Sequence, residues 1–257
     1  MARLKNRIGE ININNQGLKM RIIRYGGSQD IDIEFEDDYI AYNKRYDVFK
    51  NGQINSPYFK SVCGVGYFGE GIYKSKINRK DTIEYKHWSN MIHRCYDKKI
   101  QEKQPYYKGC TVCEEWHNFQ NFAKWFNDNY YQINHEAMCL DKDILHKGNK
   151  IYSPNTCCFV NNRINVLFTK NTIKRGNYQI GVSYHKEKKR FEAKCSIFFE
   201  GRKINKFLGG FNDPIVAFNA YKQFKELYIK QVADEYKEVI PIELYEAMYR
   251  YKVEITD

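Results

Sequence analysis

Residues 140–160, LDKDILHKGNKIYSPNTCCFV, gather the side chains best suited to chemistry in a chain of 257 residues. Asp141 and Asp143 stand two positions apart, so in a β-strand, where successive side chains alternate, they share one face. A carboxylate pair of this kind can hold Mg²⁺, which takes one or two protein carboxylates and completes its shell with water. His146 follows close to a Gly-Asn turn, and Tyr-Ser-Pro then leads into a second apolar run. The other reading is that these charges only solvate a structural hairpin, and both stand at this point. A second candidate is CTVC at 110–113, with Cys157 and Cys158 as partners for a four-thiolate site. It lacks the Gly or Pro of a zinc knuckle, and in a strand Cys110 and Cys113 face opposite sides, so zinc is not expected.

The elements that must position these residues fall into three segments, and an α+β, multidomain fold is expected. Residues 1–75 read as a small β-rich module of unknown role that could close as a compact barrel. LKMRIIRY and IDIEF flank the turn-forming GGSQD, and Ile31, Ile33 and Phe35 alternate with Asp32 and Glu34. The acidic DIDIEFEDD run is either a solvated strand face or a surface that mimics DNA or docks a protein partner. Residues 63–80, ending in the basic KSKINRK, read as a linker.

Residues 81–170 give the order helix, helix, strand, strand, helix. Trp88, Met91, Ile92 and Cys95 make one apolar stripe, and Trp116, Phe119, Ala123 and Phe126 make another. Asn161 or Asn162 is suited to cap the last helix. His87, His93 and His117 sit beside the aromatic stripes and read as helix-edge residues. Residues 175–257 give three strands, at 179–185, 190–199 and 203–209, then a helix opened by Asp213-Pro214. Phe191, Ala193, Cys195 and Ile197 alternate with Glu192, Lys194 and Ser196, so one side of this sheet packs on the helix and the other is polar.

Charge singles out that last sheet. The chain carries 42 Lys and Arg against 31 Asp and Glu, a net +11, which favours a polyanionic partner. Much of the surplus lies in 171–210, where Lys174, Arg175, Lys186, Lys188, Lys189, Arg190, Lys194, Arg202, Lys203 and Lys206 face only Glu187, Glu192 and Glu200. A β-ribbon fits the DNA major groove, with side chains at base edges and hairpin-tip lysines at phosphates. The 22 Tyr and 16 Phe argue for a folded chain. No stretch approaches the roughly 18 apolar residues of a membrane span, and the start MARLKNRIGEININN lacks a signal-peptide core, so an intracellular location and reduced cysteines are expected.

The run IGVSYHKEKKRFEAKCS…KFLGGFNDPIVAFNAYKQF resembles the DNA-binding domain of plant ethylene-response factors, the APETALA-type domain, which also occurs in phage endonucleases. The resemblance rests on Gly181-Val182, Phe191-Glu192-Ala193, Leu208-Gly209-Gly210-Phe211 and Ala220-Tyr221. It implies double-stranded DNA as partner and places the base-facing positions at Ser183, His185, Lys194, Ser196, Asn205 and Phe207, with Lys186, Lys188 and Arg190 beside them. The family's first-strand arginines are Ser183 and His185 here, so its GC-rich preference is not carried over.

The middle segment, HWSNMIHRCYDKK…PYYKGCTVCEEWHNFQNFAKWF…LDKDILHKGNKIYSPNTCCFVNNRIN, resembles the catalytic region of phage and intron-encoded homing endonucleases of the His-Asn-His (HNH) class. That resemblance implies a phage-encoded protein in the host cytoplasm and Mg²⁺- or other divalent-metal-dependent phosphodiester hydrolysis. Asp141 then falls on the metal carboxylate, Thr156 on the second ligand position, and Asn165 near the last motif position. Lys142 stands where active relatives carry the general-base His, and lysine, with a reference pKa of roughly 10.4, is a poor base at neutral pH. Asp143 and His146 are the available substitutes. The expectation is a DNA-binding, homing-endonuclease-like protein. The alternatives are a catalytically dead regulatory or anti-defence relative, and an inhibitor acting through the acidic N-terminal face.

Overall fold

The computed structural model describes residues 6–169, 178–199 and 201–257. The fold is α+β, and the chain divides into two compact units, Met1–Asp128 and Asn129–Asp257. The boundary falls inside the segment 81–170. No described helix is long and apolar enough to cross a membrane.

The first unit opens with an antiparallel meander of β1 (Ile11–Ile13), β2 (Lys19–Gly27), β3 (Asp30–Phe35) and β4 (Ile40–Lys44), followed by α1 (Tyr46–Lys50). The sheet order is β1-β2-β3-β4, an open sheet with β1 and β4 as edges, where a barrel would pair them. Met20, Ile22, Ile31, Ile33, Phe35, Ala41, Phe49 and Ile54 form its core. The acidic strand is not a free anionic face. Cross-strand register sets Arg21 opposite Glu34 and Arg24 opposite Asp32. Arg24 grips Asp30 at 2.5 Å and also pairs with Asp32, while Arg21 pairs with Glu34. Asp30 and Asp32 are both held below the usual carboxylate range, chiefly by hydrogen bonds from Arg24.

A short hairpin of β5 (Lys76–Ile77) and β6 (Lys80–Asp81) precedes α2 (Ile83–Tyr96), α3 (Lys98–Lys103), β7 (Thr111–Val112) and α4 (Phe119–Asn129). Thr82 caps α2 by accepting from Tyr85 N, and the helix buries Trp88, Met91, Ile92 and Cys95, as its spacing implies. Trp116 lies in a 3-10 turn before α4, and Phe122 joins Phe119, Ala123 and Phe126 in the core. The Trp88 indole donates to Trp116 O at 2.8 Å and its ring packs on Phe119 with centroids 5.4 Å apart, tying α2 to α4. His87 packs on Phe126 and burial drives its pKa down to about 4, while the His93 ring is held against Ser89 O at 2.7 Å.

The second unit contains β8 (Met138–Asp141), β9 (Ile151–Tyr152), β10 (Cys158–Asn161) and α5 (Asn162–Phe168), then β11 (Val182–His185), β12 (Arg190–Phe199), β13 (Arg202–Phe211), α6 (Pro214–Tyr236) and α7 (Ile242–Arg250). β8 and β10 pair antiparallel and lead into α5, a ββα arrangement. Asn161 caps α5 by accepting from Ile164 N at 3.0 Å. The three-stranded sheet has order β11-β12-β13, and Asp213 caps α6 by accepting from Ile215 N and Val216 N with Pro214 in the first turn. Ala193 and Cys195 of β12 pack with Ala217, Phe218 and Tyr221 of α6. β11 begins three residues later than 179 because Gln179–Gly181 turns, Val182 N donating to Gln179 O. Gly181 is required there: its φ is +79°, and a Cβ would fall 2.1 Å from the Tyr221 ring.

Candidate nucleic-acid interface and the ββα hairpin

β12 pairs with β11 and β13 so that residues opposite one another share a face. Ser183 lies opposite Glu192 and His185 opposite Arg190, while Lys194 faces Phe207, Ser196 faces Asn205 and Phe198 faces Lys203. The helix α6 takes the other face. The expected base-facing residues therefore share one side of the sheet, and Ser183, Lys194, Ser196, Asn205 and Phe207 are all exposed. Phe207 leaves 50% of its surface open beside Lys194. Ser196 Oγ donates to Asn205 Oδ1 at 2.6 Å, which fixes the orientation of that amide. Lys186 and Lys188 stand exposed in the β11–β12 turn, where Lys188 N donates to His185 Nδ1 at 3.4 Å. Lys206 points the other way, its ammonium 4.9 Å from the Phe224 ring centre. Lys174, Arg175 and Glu200 lie outside the described residues.

Two features of this face escaped the sequence reading. Glu192 is only 4% exposed and sits among cations: Lys194 Nζ at 2.9 Å, an Arg190 nitrogen at 3.6 Å and Lys188 Nζ at 3.9 Å. Its covering comes from these side chains rather than the core, and its pKa is lowered, first by the hydrogen bond from Lys194. Arg190 lies across Gly210, where a Cβ would fall 2.5 Å from Nε, so the second glycine of LGGF makes room for a guanidinium. Among the described residues that buried Nε has no hydrogen-bond acceptor. Lys203 is exposed and adds to the same face.

The ββα hairpin is built differently from its sequence expectation. β8 ends at Asp141, whose Oδ1 accepts from Asp143 N and Ile144 N, both at 2.8 Å. The Asp141 side chain thus turns the chain out of the strand, and Asp143 lies in a bend rather than on the same strand face. Asp141 reaches the surface only in part, and burial, helped by the nearby Asp143 charge, pushes its pKa up to about 6. Asp143 pairs with Lys142 at 3.4 Å, and the Lys142 ammonium lies 5.7 Å from the centre of the Tyr152 ring.

Thr156 is not free to ligate a metal as expected. Its hydroxyl donates to Ile151 O at 2.7 Å and contacts Ser153 Oγ at 2.8 Å, closing the Ser-Pro-Asn-Thr turn. His146 is exposed in the loop, and its backbone carbonyl accepts from Asn149 N. Asn165 sits on α5, with its own carbonyl accepting from Thr169 Oγ1. The residue that organises the loop is Asn149, whose Nδ2 donates to Lys142 O and Ile151 O, both at 2.7 Å. The Gly-Asn pair signalled a turn without revealing this role. Cys158 stands opposite Asp141 in the ladder, and burial raises its thiol well above the usual range.

These donors do not fit a preformed divalent-metal site. One Asp141 oxygen serves two backbone amides, Asp143 is paired with Lys142, and Thr156 closes a turn. Among the described residues no group of three or more His, Cys, Asp or Glu is placed to hold an ion. No disulfide joins any of the eight cysteines among the described residues. Comparison with protein-family models, with curated proteins and with solved structures finds no match for this chain.

Proposed function

We propose that this protein binds double-stranded DNA through the open face of the β11-β12-β13 sheet, and that its ββα hairpin supports that platform rather than cutting the strand. The observation that carries the reading is the shared, exposed face of Ser183, Lys194, Ser196, Asn205 and Phe207, bordered by Lys186, Lys188, Arg190 and Lys203. The lysines and Arg190 meet phosphates, while Asn205 and Ser196 offer hydrogen-bonding groups to base edges and Phe207 offers apolar contact to a thymine methyl. Hydrolysis finds less support, because Asp141 spends one oxygen on its own turn and Lys142 replaces the expected base.

The test is fluorescence anisotropy with duplex DNA over a salt series, run beside a cleavage assay with Mg²⁺ or Mn²⁺. With about four phosphates neutralised, affinity should fall about a hundredfold between 50 and 200 mM salt. Lys194→Ala should flatten the log–log slope by about one. Salt-insensitive binding, or none, overturns the reading. Metal-dependent scission that disappears in Asp141→Asn would restore the nuclease alternative.

A further inference from the structure

The β5–β6 hairpin, at the end of the segment expected to be a linker, is an ordered arm. Ile77 pairs with Lys80 and Lys76 with Asp81, so the loop is the two residues Asn78-Arg79. Their φ values are +50° and +63°, the pattern of a type I′ turn, whose second position glycine fills most easily. The base is fixed to α2, because Thr82 N donates to Ser75 O and Thr82 Oγ1 to Lys74 O, both at 3.0 Å. Every residue from Lys76 to Asp81 is nevertheless exposed, and Ile77 leaves 58% of its surface in solvent. A two-stranded hairpin gains little stability by itself, so an arm whose every residue is exposed is unexplained by folding alone. It is also cationic: Lys74, Lys76, Arg79 and Lys80 outweigh Asp81, which pairs with Lys76 at 3.7 Å. Arg79 and Lys80 make no ion pair among the described residues.

We infer that this arm is a second DNA contact that enters the minor groove, with Arg79 at its floor, Ile77 against the groove wall, and Lys74 and Lys80 on the flanking phosphates. The inference rests on the DNA-binding reading above. The minor groove is only about 6 Å wide, which suits a tip of two residues better than the three-stranded sheet. Narrow A·T tracts concentrate negative potential that draws in arginine, and isoleucine is among the apolar side chains that wedge against base steps. An arginine held at positive φ, where glycine would relax the turn, keeps a guanidinium at the outermost point of the arm.

Arg79→Gly is the informative variant in the full chain, since glycine suits the turn and the position is exposed. Anisotropy with an A·T-tract duplex should show about tenfold weaker binding and a salt slope lower by about one. Netropsin, which fills the A·T minor groove, should weaken the wild type to the level of Arg79→Gly and leave the variant unchanged. Equal losses on A·T and G·C duplexes with no netropsin effect would overturn the groove assignment. If Arg79→Gly binds like wild type while Lys194→Ala is weakened, the arm is overturned and the sheet reading stands. If the wild type binds no duplex, both fall.

Discussion

Replacing Asp141 with Asn separates a structural role for this carboxylate from a catalytic one. The folded Asp141 titrates near 6 against an ordinary value of 3.8, because burial and Asp143 disfavour its charge. The folded state therefore binds the proton more tightly than the unfolded chain. The stabilisation from this group is complete below the ordinary value, is lost as pH rises through about 6, and is absent at neutral pH. A gap of about two pH units at about 1.4 kcal/mol each makes the charged form about 3 kcal/mol less favourable at pH 8 than the protonated form at low pH. Asparagine stays neutral and keeps an oxygen for Asp143 N and Ile144 N, though its Nδ2 needs a new partner. Asp141→Asn should thus be about 1–3 kcal/mol more stable than wild type at pH 8, with the gain vanishing near pH 4. Trp88, Trp116 and Trp125 all lie in the first unit, so tryptophan fluorescence reports the wrong half of the chain. Hydrogen exchange over 138–161 at pH 4, 6 and 8, referenced to intrinsic rates, reads the relevant stability. A variant less stable than wild type at pH 8, or a difference that does not change with pH, refutes the reasoning.

Other substitutions probe the remaining features. Glu192→Gln removes the anion that Lys188, Arg190 and Lys194 share, so duplex binding should tighten and its salt slope steepen by about one, read by anisotropy. Gly181→Ala adds a Cβ against Tyr221 at a φ of +79° and should destabilise the second unit by about 2–4 kcal/mol in chemical unfolding followed by circular dichroism. Asn149→Ala loses both carbonyl contacts, so the amides of 142–150 should exchange faster at an expense of about 1–2 kcal/mol, while α6 amides keep their protection.

Where local rules decide the structure, the sequence could be read directly. The Trp88-Met91-Ile92-Cys95 stripe predicts α2, Asp213-Pro214 predicts the start of α6, and alternation along β12 predicts which side is polar. Reading fails where partners are distant in sequence. That Arg21 and Arg24 neutralise Glu34 and Asp32 depends on register between β2 and β3, which the acidic run alone does not contain. It fails again where a side chain bonds its own backbone. The Asp-x-Asp spacing reads as a strand face, yet Asp141 accepts from the amides that follow it and ends the strand, removing the geometry on which the carboxylate pair relied. Thr156 and Asn149 follow the same pattern: polar groups that look free in sequence are committed to holding turns.

Asn161 carries a consequence of another kind. Its amide nitrogen donates to Glu136 Oε2 at 3.0 Å and to Tyr236 OH at 3.2 Å, and Tyr236 ends the helix on which the basic sheet rests. Arg163 on α5 reinforces the junction by pairing with Glu235 at 2.5 Å, and Lys147, in the loop after β8, pairs with Asp257 at 2.9 Å. Hairpin and sheet are thus riveted into a single body. The 142–149 loop therefore keeps one fixed position relative to the sheet, and a displacement of either would be felt by the other.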